Sequence, residues 1–360
     1  MELVKDQGLG EGANAMLIIG CDFHPGFEQV AIFDNQTGEI TGRRLQHPEE
    51  AREFYGSLRE PALVGMEACG FTQWFEQMLE ELGHELWLGD AAQIRAAVVR
   101  RQKTDQRDAE HLLTLLLEKR FPRLWVPNGE ERDVRQLLMH RHGLVRMRTQ
   151  VKNQLHAIAL NQGMQKKRKL WTEAGREQLE KLGLRAYAAQ RRGESLRRLD
   201  YLEEQIRQLT KTVVAEAHKR AAAQLLMTHP GVGAQTALAF VLTIGPVARF
   251  ENAKKVASYV GLIPCEHSSG GKQRLGHISK QGSPLLRFLL VEAGQSAVKK
   301  DAELQRMYRR LALRRSRGQA KVAVARRLAT RLYWMLRTGK NYAQLTASGA
   351  GEPVSSRDAA

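Results

Sequence analysis

Short apolar runs alternate with helical periodicities over residues 15–100. Met16–Asp22 and Gln29–Asp34 read as strands, Asn35-Gln36-Thr37-Gly38 as the turn after the second, and Glu39–Gln46 as a third strand. Pro48-Glu49-Glu50 opens a helix with Pro and acids in its first turn. Strand Ala62–Glu67, helix Thr72–Leu82 stopped by Gly83, strand His84–Gly89 and helix Ala91–Arg101 follow. Three strands and then alternating helices and strands predict an α/β layer with a mixed sheet. Asp105–Lys119 is helical, with Leu112, Leu113, Leu115, Leu116 and Leu117 on its buried side. Pro122 and Pro127 mark a domain exit.

The remainder reads as helical. A long helix from about Val134 to Gly163 carries Arg135, Arg141, Arg146, Arg148 and Lys152, and Gly143 weakens it without ending it. Beyond the basic patch Lys166-Lys167-Arg168-Lys169, the residues Leu196, Leu199, Leu202, Ile206, Leu209 and Val213 repeat close to a heptad. That seam fits a helical hairpin within the chain or a coiled coil between chains. A third, mostly helical unit runs from Leu225 to about Tyr342, and Ala343–Ala360 has the composition of a disordered tail. The expected divisions are 15–125, a central helical region 126–222, a carboxy-terminal domain 223–342 and the tail 343–360.

Charge changes this picture. The chain has 360 residues and a net charge of +17, but residues 1–120 sum to −9 and residues 121–360 to +26. An acidic front half suits cation binding, and a basic remainder suits a polyanion such as DNA. Cys21, Cys69 and Cys265 are far apart and outside any paired motif, which points to neither a disulfide framework nor a zinc site. No stretch approaches the roughly 20 apolar residues of a membrane span, and the polar start Met1–Asn14 is unlike a signal peptide. The expectation is a soluble protein of the cytosol or nucleoid.

Four acids stand out. Asp22 and Glu67 end apolar strands, and Asp105 and Asp108 lie three apart on one turn at the head of the Leu-rich helix. Converging carboxylates suit Mg²⁺, and ions held this way can assist attack on a phosphodiester. Thr104 before Asp105 also supports a plain reading, an N-cap followed by acids that complement the helix dipole. Strand-end acids combined with a helical pair have the layout of RNase H-like resolvases.

Two glycine-rich segments add candidate phosphate contacts. In His229-Pro230-Gly231-Val232-Gly233, Gly231 and Gly233 precede an apolar helix, as in a helix-hairpin-helix grip on DNA; an ordinary turn between packed helices is the alternative. The loop from Gly261 to Ser283 holds Ser268, Ser269, Lys272, Arg274 and Lys280 among glycines, which suits close approach to phosphate. A Walker A loop is excluded, because Gly271-Lys272 is followed by Gln273 and Gly339-Lys340 by Asn341. Arg306, Arg309, Arg310, Arg314, Arg315, Arg317, Lys321, Arg326, Arg327 and Arg331 crowd a late helical segment, dense enough to meet a phosphate backbone, while Tyr333 and Trp334 beside them close the core.

Three blocks together resemble transposases of the insertion-sequence-110 type, with the 116 and 902 relatives: the DEDD/serine recombinases that include the Piv invertase. They are Gly65-Met66-Glu67-Ala68-Cys69-Gly70, Lys103-Thr104-Asp105 with Asp108-Ala109, and Ser268-Ser269-Gly270-Gly271-Lys272 through Ile278-Ser279-Lys280-Gln281-Gly282, followed by Leu286-Arg287. The resemblance implies an α/β RNase H/RuvC-like amino-terminal domain, a central coiled-coil region and a mostly α-helical carboxy-terminal transposase domain with a helix-hairpin-helix-like element. It implies Mg²⁺ held by Asp22, Glu67, Asp105 and Asp108. It also implies a serine that attacks DNA and holds the strand covalently, which by match is Ser269, with Ser268 its neighbour. Arg287 joins Lys272, Arg274 and Lys280 as a candidate DNA contact. The implied partners are DNA, a structured guide RNA and further copies of the chain in a dimer or tetramer, with active sites that combine domains of different subunits. Where the family commonly has a Lys shortly after the first Asp, this chain has Phe23-His24-Pro25. The rival readings are a hydrolytic junction resolvase, in which the acids activate water, and a non-catalytic nucleic-acid-binding protein.

Overall fold

A computed structural model of the chain describes residues 17–97, 104–165, 169–266 and 274–347. Ser268, Ser269, Lys272, the stretch Lys166-Lys167-Arg168 and the chain beyond residue 347 lie outside them. The chain divides into two compact units between Val126 and Pro127.

The apolar runs of the first unit form strands β1 (Leu17–Phe23), β2 (Phe27–Asp34), β3 (Ile40–Gln46), β4 (Ala62–Glu67) and β5 (Glu85–Gly89). They make one sheet in the order β3-β2-β1-β4-β5, with β2 antiparallel to both its neighbours and β1, β4 and β5 parallel. Successive side chains along a strand face opposite sides, and here the two sides carry different residues. Ile19, Cys21, Val64 and Met66 point to one side, where they pack with Phe54 and Tyr55 of helix α1 (Glu49–Ser57) and Phe75, Met78 and Leu79 of α2 (Gln73–Glu81).

The other side is built from small residues. Ala31, Gly20 and Gly65 sit opposite one another on β2, β1 and β4. They form a shallow trench that receives α4 (Asp105–Leu117). A Cβ on Gly20 would lie 2.3 Å from the Ala109 carbonyl oxygen, and one on Gly65 would lie 2.7 Å from Leu116 Cδ1. Ala109 and Leu113 then close over Ala31, while Leu112, Leu115 and Leu116 pack with Leu63, Ile94 and Phe121. The short helix α3 (Ala91–Ala96) supplies Ile94; it begins at Asp90, whose side chain accepts hydrogen bonds from Ala92 N and Gln93 N.

In the second unit, α5 (Gly129–Asn161) runs unbroken through Gly143 and packs against α7 (Ala186–His218). The heptad residues Leu196, Leu199 and Leu202 bury against Val151, Leu155 and Ala159, together with Leu170 and with Leu179 of α6 (Glu173–Glu180), so this part of the seam is satisfied within the chain. A larger core follows, made by α8 (Ala221–Met227), α9 (Ala234–Ile244), α10 (Ala253–Tyr259), α11 (Pro284–Ala297) and α13 (Arg317–Thr338), and it also takes in Val134, Leu138, Val213 and Ala217 of the long helices. Tyr333 is buried there and donates to the Phe250 carbonyl oxygen at 3.2 Å.

Three expectations are corrected. The glycine-punctuated loop contains an antiparallel pair, β6 (Pro264–Glu266) with β7 (Leu275–Ile278), too short to show an alternating pattern in sequence. The expected tail starts as helix α14 (Tyr342–Ala347), because Leu345 buries in the larger core. Arg331, counted with the surface cations, is inside: it pairs with Asp301 at 2.5 Å and Glu303 at 2.6 Å, and its side chain is 7% exposed. No helix among the described residues is long and apolar enough to cross a membrane.

Candidate metal centre

The two faces of the sheet decide where the acids point. Asp22 follows Gly20 by two residues and Glu67 follows Gly65 by two, so both carboxylates leave the sheet on the α4 side. β1 and β4 are parallel and in register from Leu17↔Ala62 to Cys21↔Met66, which makes Asp22 and Glu67 the next residues on adjacent strand ends. On α4, Asp105 lies one turn before Ala109, the residue seated on Gly20. Thr104 caps this helix as expected, its Oγ1 accepting from Arg107 N at 3.3 Å. The cap and the metal-site reading coexist, since the cap is made by the Thr104 side chain and not by the acids of the first turn.

Asp22, His24 and Asp105 converge, each offering one donor atom, with all three atoms within 4.8 Å of one another. His24 Nε2 is 3.2 Å from Asp22 Oδ2 and 3.8 Å from Asp105 Oδ1. Burial holds the Asp22 carboxyl above the usual carboxylate range; the His24 ring opposes this, and Asp108 and Asp105 add to it. Asp108 therefore lies within the electrostatic reach of Asp22. Glu67 is placed differently: its Oε1 accepts from Arg95 Nη2 at 3.0 Å. Burial raises the Cys69 thiol pKa, and both Glu67 and Asp22 push it further the same way, so the two strand-end acids share one neighbourhood.

A divalent ion fits this donor set of two carboxylate oxygens and one imidazole nitrogen. Two ligands at right angles on an octahedral ion with bonds of about 2.0–2.1 Å lie roughly 3 Å apart. The His24–Asp22 separation of 3.2 Å matches this, and the His24–Asp105 separation of 3.8 Å is wider. A cation would also offset the burial, and the lesser repulsion from Asp108 and Asp105, that raise Asp22. His24 is the residue that sequence reading missed. The signal was present but indirect: a histidine two positions beyond a strand-end acid, ahead of the Pro25-Gly26 turn.

The expected phosphate contacts of the second unit fare unevenly. Gly231 has φ 88°, and a Cβ there would meet Ala297 N of α11 at 2.5 Å, so conformation and helix packing both require glycine. Gly233 is exposed and caps α9, and a Cβ there would meet nothing within 4 Å. Arg274 and Lys280 are exposed on the β7 side of the loop. Arg287 is turned inward: its Nη1 donates to the carbonyls of Val260 and Gly282, both at 3.2 Å, and to that of Gln281. It latches the base of the loop, which explains an arginine here without a phosphate.

A family profile described as a transposase, of the DEDD IS110 type, matches residues 19–164, and the profile of the transposase IS116/IS110/IS902 family matches residues 223–309. A Pseudomonas aeruginosa protein named "Probable family 20 transposase" is 31% identical over 88% of this chain and 96% of its own length. The chain belongs to the IS116/IS110/IS902 family of transposases. The family's amino-terminal profile spans all four acids and His24. The transposase for insertion sequence element IS1111A of Coxiella burnetii is 25% identical over 90% of this chain and 91% of its own. The pilin gene-inverting protein of Moraxella bovis is 27% identical over 67% of this chain and 68% of its own. Membership makes the chain a transposase, a DNA-cleaving enzyme.

Proposed function

We propose that this transposase cuts and rejoins DNA through a covalent phosphoserine linkage at Ser269, assisted by Mg²⁺ held by Asp22, Glu67, Asp105 and Asp108. The observation that carries the metal half is the convergence of Asp22 and Asp105, from a strand end and a helix start, on one point within 4.8 Å. The sheet order and the adjacent strand-end acids support an RNase H/RuvC-like reading of residues 15–125, with residues 126–222 as the oligomerisation region and 223–342 as the domain that supplies the serine.

A bound divalent ion supplies charge stabilisation at the scissile phosphate. The protein residues do the rest. Ser269 Oγ forms a bond to phosphorus as one P–O bond to sugar breaks; its proton passes to solvent and the departing sugar oxygen takes one up. Attack by a second strand's hydroxyl reverses these changes. The number of phosphodiester-energy bonds is conserved, consistent with a chain that lacks a Walker A loop. The exposed arginines Arg306, Arg309, Arg310, Arg314 and Arg315 at and after α12 (Ala302–Arg314), with Arg317 opening α13, support contact with a nucleic-acid backbone. We assign these and Gly233, Arg274, Lys280 and Lys272 to DNA and to a structured guide RNA, with the chain acting as a homo-oligomer.

Strand cleavage by Ser269→Ala and Asp105→Asn tests this reading. Each substitution is expected to lower cleavage by roughly 10³-fold or more. A Ser269→Ala protein that still cuts, together with an inactive Asp105→Asn protein, means hydrolysis by activated water. Unchanged cleavage in both removes the assignment altogether.

A further inference from the structure

His24 Nε2 faces two carboxylate oxygens at once, Asp22 Oδ2 at 3.2 Å and Asp105 Oδ1 at 3.8 Å. A neutral imidazole carries one N–H and so can donate to one of them. The ring is also held in place. It stacks on Phe27, with centroids 4.7 Å apart and planes 26° apart, and the turn that carries it is closed by His24 N donating to the Phe27 carbonyl oxygen at 2.9 Å. Both partners come from rigid elements, the end of β1 and the first turn of α4. The cluster remains open to solvent, with side-chain exposures of 22% for Asp22, 39% for His24 and 45% for Asp105. Three donor atoms pointed at one another, on three fixed supports and accessible from outside, have the arrangement of ligands around a cation rather than of a chain of hydrogen bonds.

We propose that His24 is a direct ligand of the divalent ion at this centre through Nε2, which makes it a mixed imidazole–carboxylate site that favours transition ions such as Mn²⁺ over Mg²⁺. The inference rests on the metal reading given under the proposed function. Imidazole nitrogen suits first-row transition ions, whereas Mg²⁺ favours oxygen and retains its water. A nitrogen ligand therefore raises affinity for transition ions more than for Mg²⁺.

The test uses the full-length protein loaded with Mn²⁺ alone. Pulsed electron paramagnetic resonance reads nitrogen bound directly to manganese as ¹⁴N modulation, and calorimetric titration gives Mn²⁺ and Mg²⁺ affinities. The wild-type protein is expected to show the modulation, and His24→Ala to lose it while still binding Mg²⁺. The Mn²⁺ affinity of His24→Ala is expected to fall at least about tenfold, with Mg²⁺ affinity changed much less. His24→Gln, with its fold checked by circular dichroism, serves if the alanine protein is unstable, and a wild-type spectrum without nitrogen coupling overturns the inference without any variant. Mn²⁺ bound with no nitrogen coupling overturns the role of His24 and leaves the acidic site standing, with the imidazole serving only as a charge partner of Asp22. Nitrogen coupling that survives in His24→Ala assigns it to another histidine and equally overturns the inference. No Mn²⁺ bound, with Asp22→Asn indistinguishable from wild type, removes both the inference and the metal reading beneath it.

Discussion

Gly20→Ala is the substitution that most directly connects the packing of the first unit to its chemistry. An added Cβ would sit 2.3 Å from Ala109 O and 2.4 Å from Leu113 N, both backbone atoms inside the hydrogen-bonded ladder of α4. Ordinary contact needs about 3.3 Å or more, so the helix must lift from β1 by about 1 Å. Overpacking of this kind costs about 1–3 kcal/mol, which lowers a thermal midpoint by several degrees or more. Because α4 carries Asp105, the same displacement draws that carboxylate away from Asp22 and His24. A 1 Å error in a functional constellation can cost about 10²-fold, and divalent-ion affinity is expected to weaken on that order. Gly65→Ala is the comparison. Its Cβ would meet the end of the Leu116 side chain at 2.7 Å, which can rotate away, so its effect on both readouts is expected to be smaller. Thermal melts and Mn²⁺ titration of the two variants test this. A Gly20→Ala protein with wild-type midpoint and wild-type metal affinity would refute the claim that the glycine trench sets the site's geometry.

Two further outcomes follow from charges in the first unit. Arg95 pairs with Glu67 at 3.0 Å but is 74% exposed, so the pair is worth only about 0.2–1 kcal/mol. Arg95→Ala removes a competing cation and is expected to raise divalent affinity by up to about fivefold by calorimetry; unchanged or weaker binding contradicts Glu67 as a ligand. Glu28 is fully buried on β2, accepting from Cys21 Sγ at 2.9 Å and Tyr55 Oη at 3.5 Å, and burial pushes its carboxyl up from 4.5 to about 7. Between those two values the folded chain keeps a proton that the unfolded chain has released, so stability falls as pH rises through the window, by about 3 kcal/mol in total. Glu28→Gln is expected to flatten that slope in denaturation measurements from pH 4.5 to 8 and to be relatively more stable above pH 7. An unchanged slope places the charge elsewhere.

The parts of the site legible in the sequence are those that local rules govern. Asp22 and Glu67 are visible because they end apolar strands, and Asp105 because Thr104 caps a leucine-rich helix. The remaining features depend on contacts between distant segments. Glycine within a strand reads locally as a weakness, so the trench of Ala31, Gly20 and Gly65 becomes visible only once the register aligns them. Glu28 is fully buried, and the two groups that donate to it, Cys21 and Tyr55, lie 7 and 27 residues away. Arg331 and Arg287 read as surface cations, yet one is neutralised by Asp301 and Glu303 and the other is spent on loop carbonyls. His24 needed the turn at Pro25-Gly26 and the seat of α4 before its ring could face two acids.

The most direct test of the proposed mechanism is to interrupt strand exchange midway, digest the protein and map any peptide that carries a nucleotide by mass spectrometry. The account predicts a phosphodiester adduct on Ser269 that is absent from Ser269→Ala. Rejoined DNA accumulating without an adduct at that residue would contradict it.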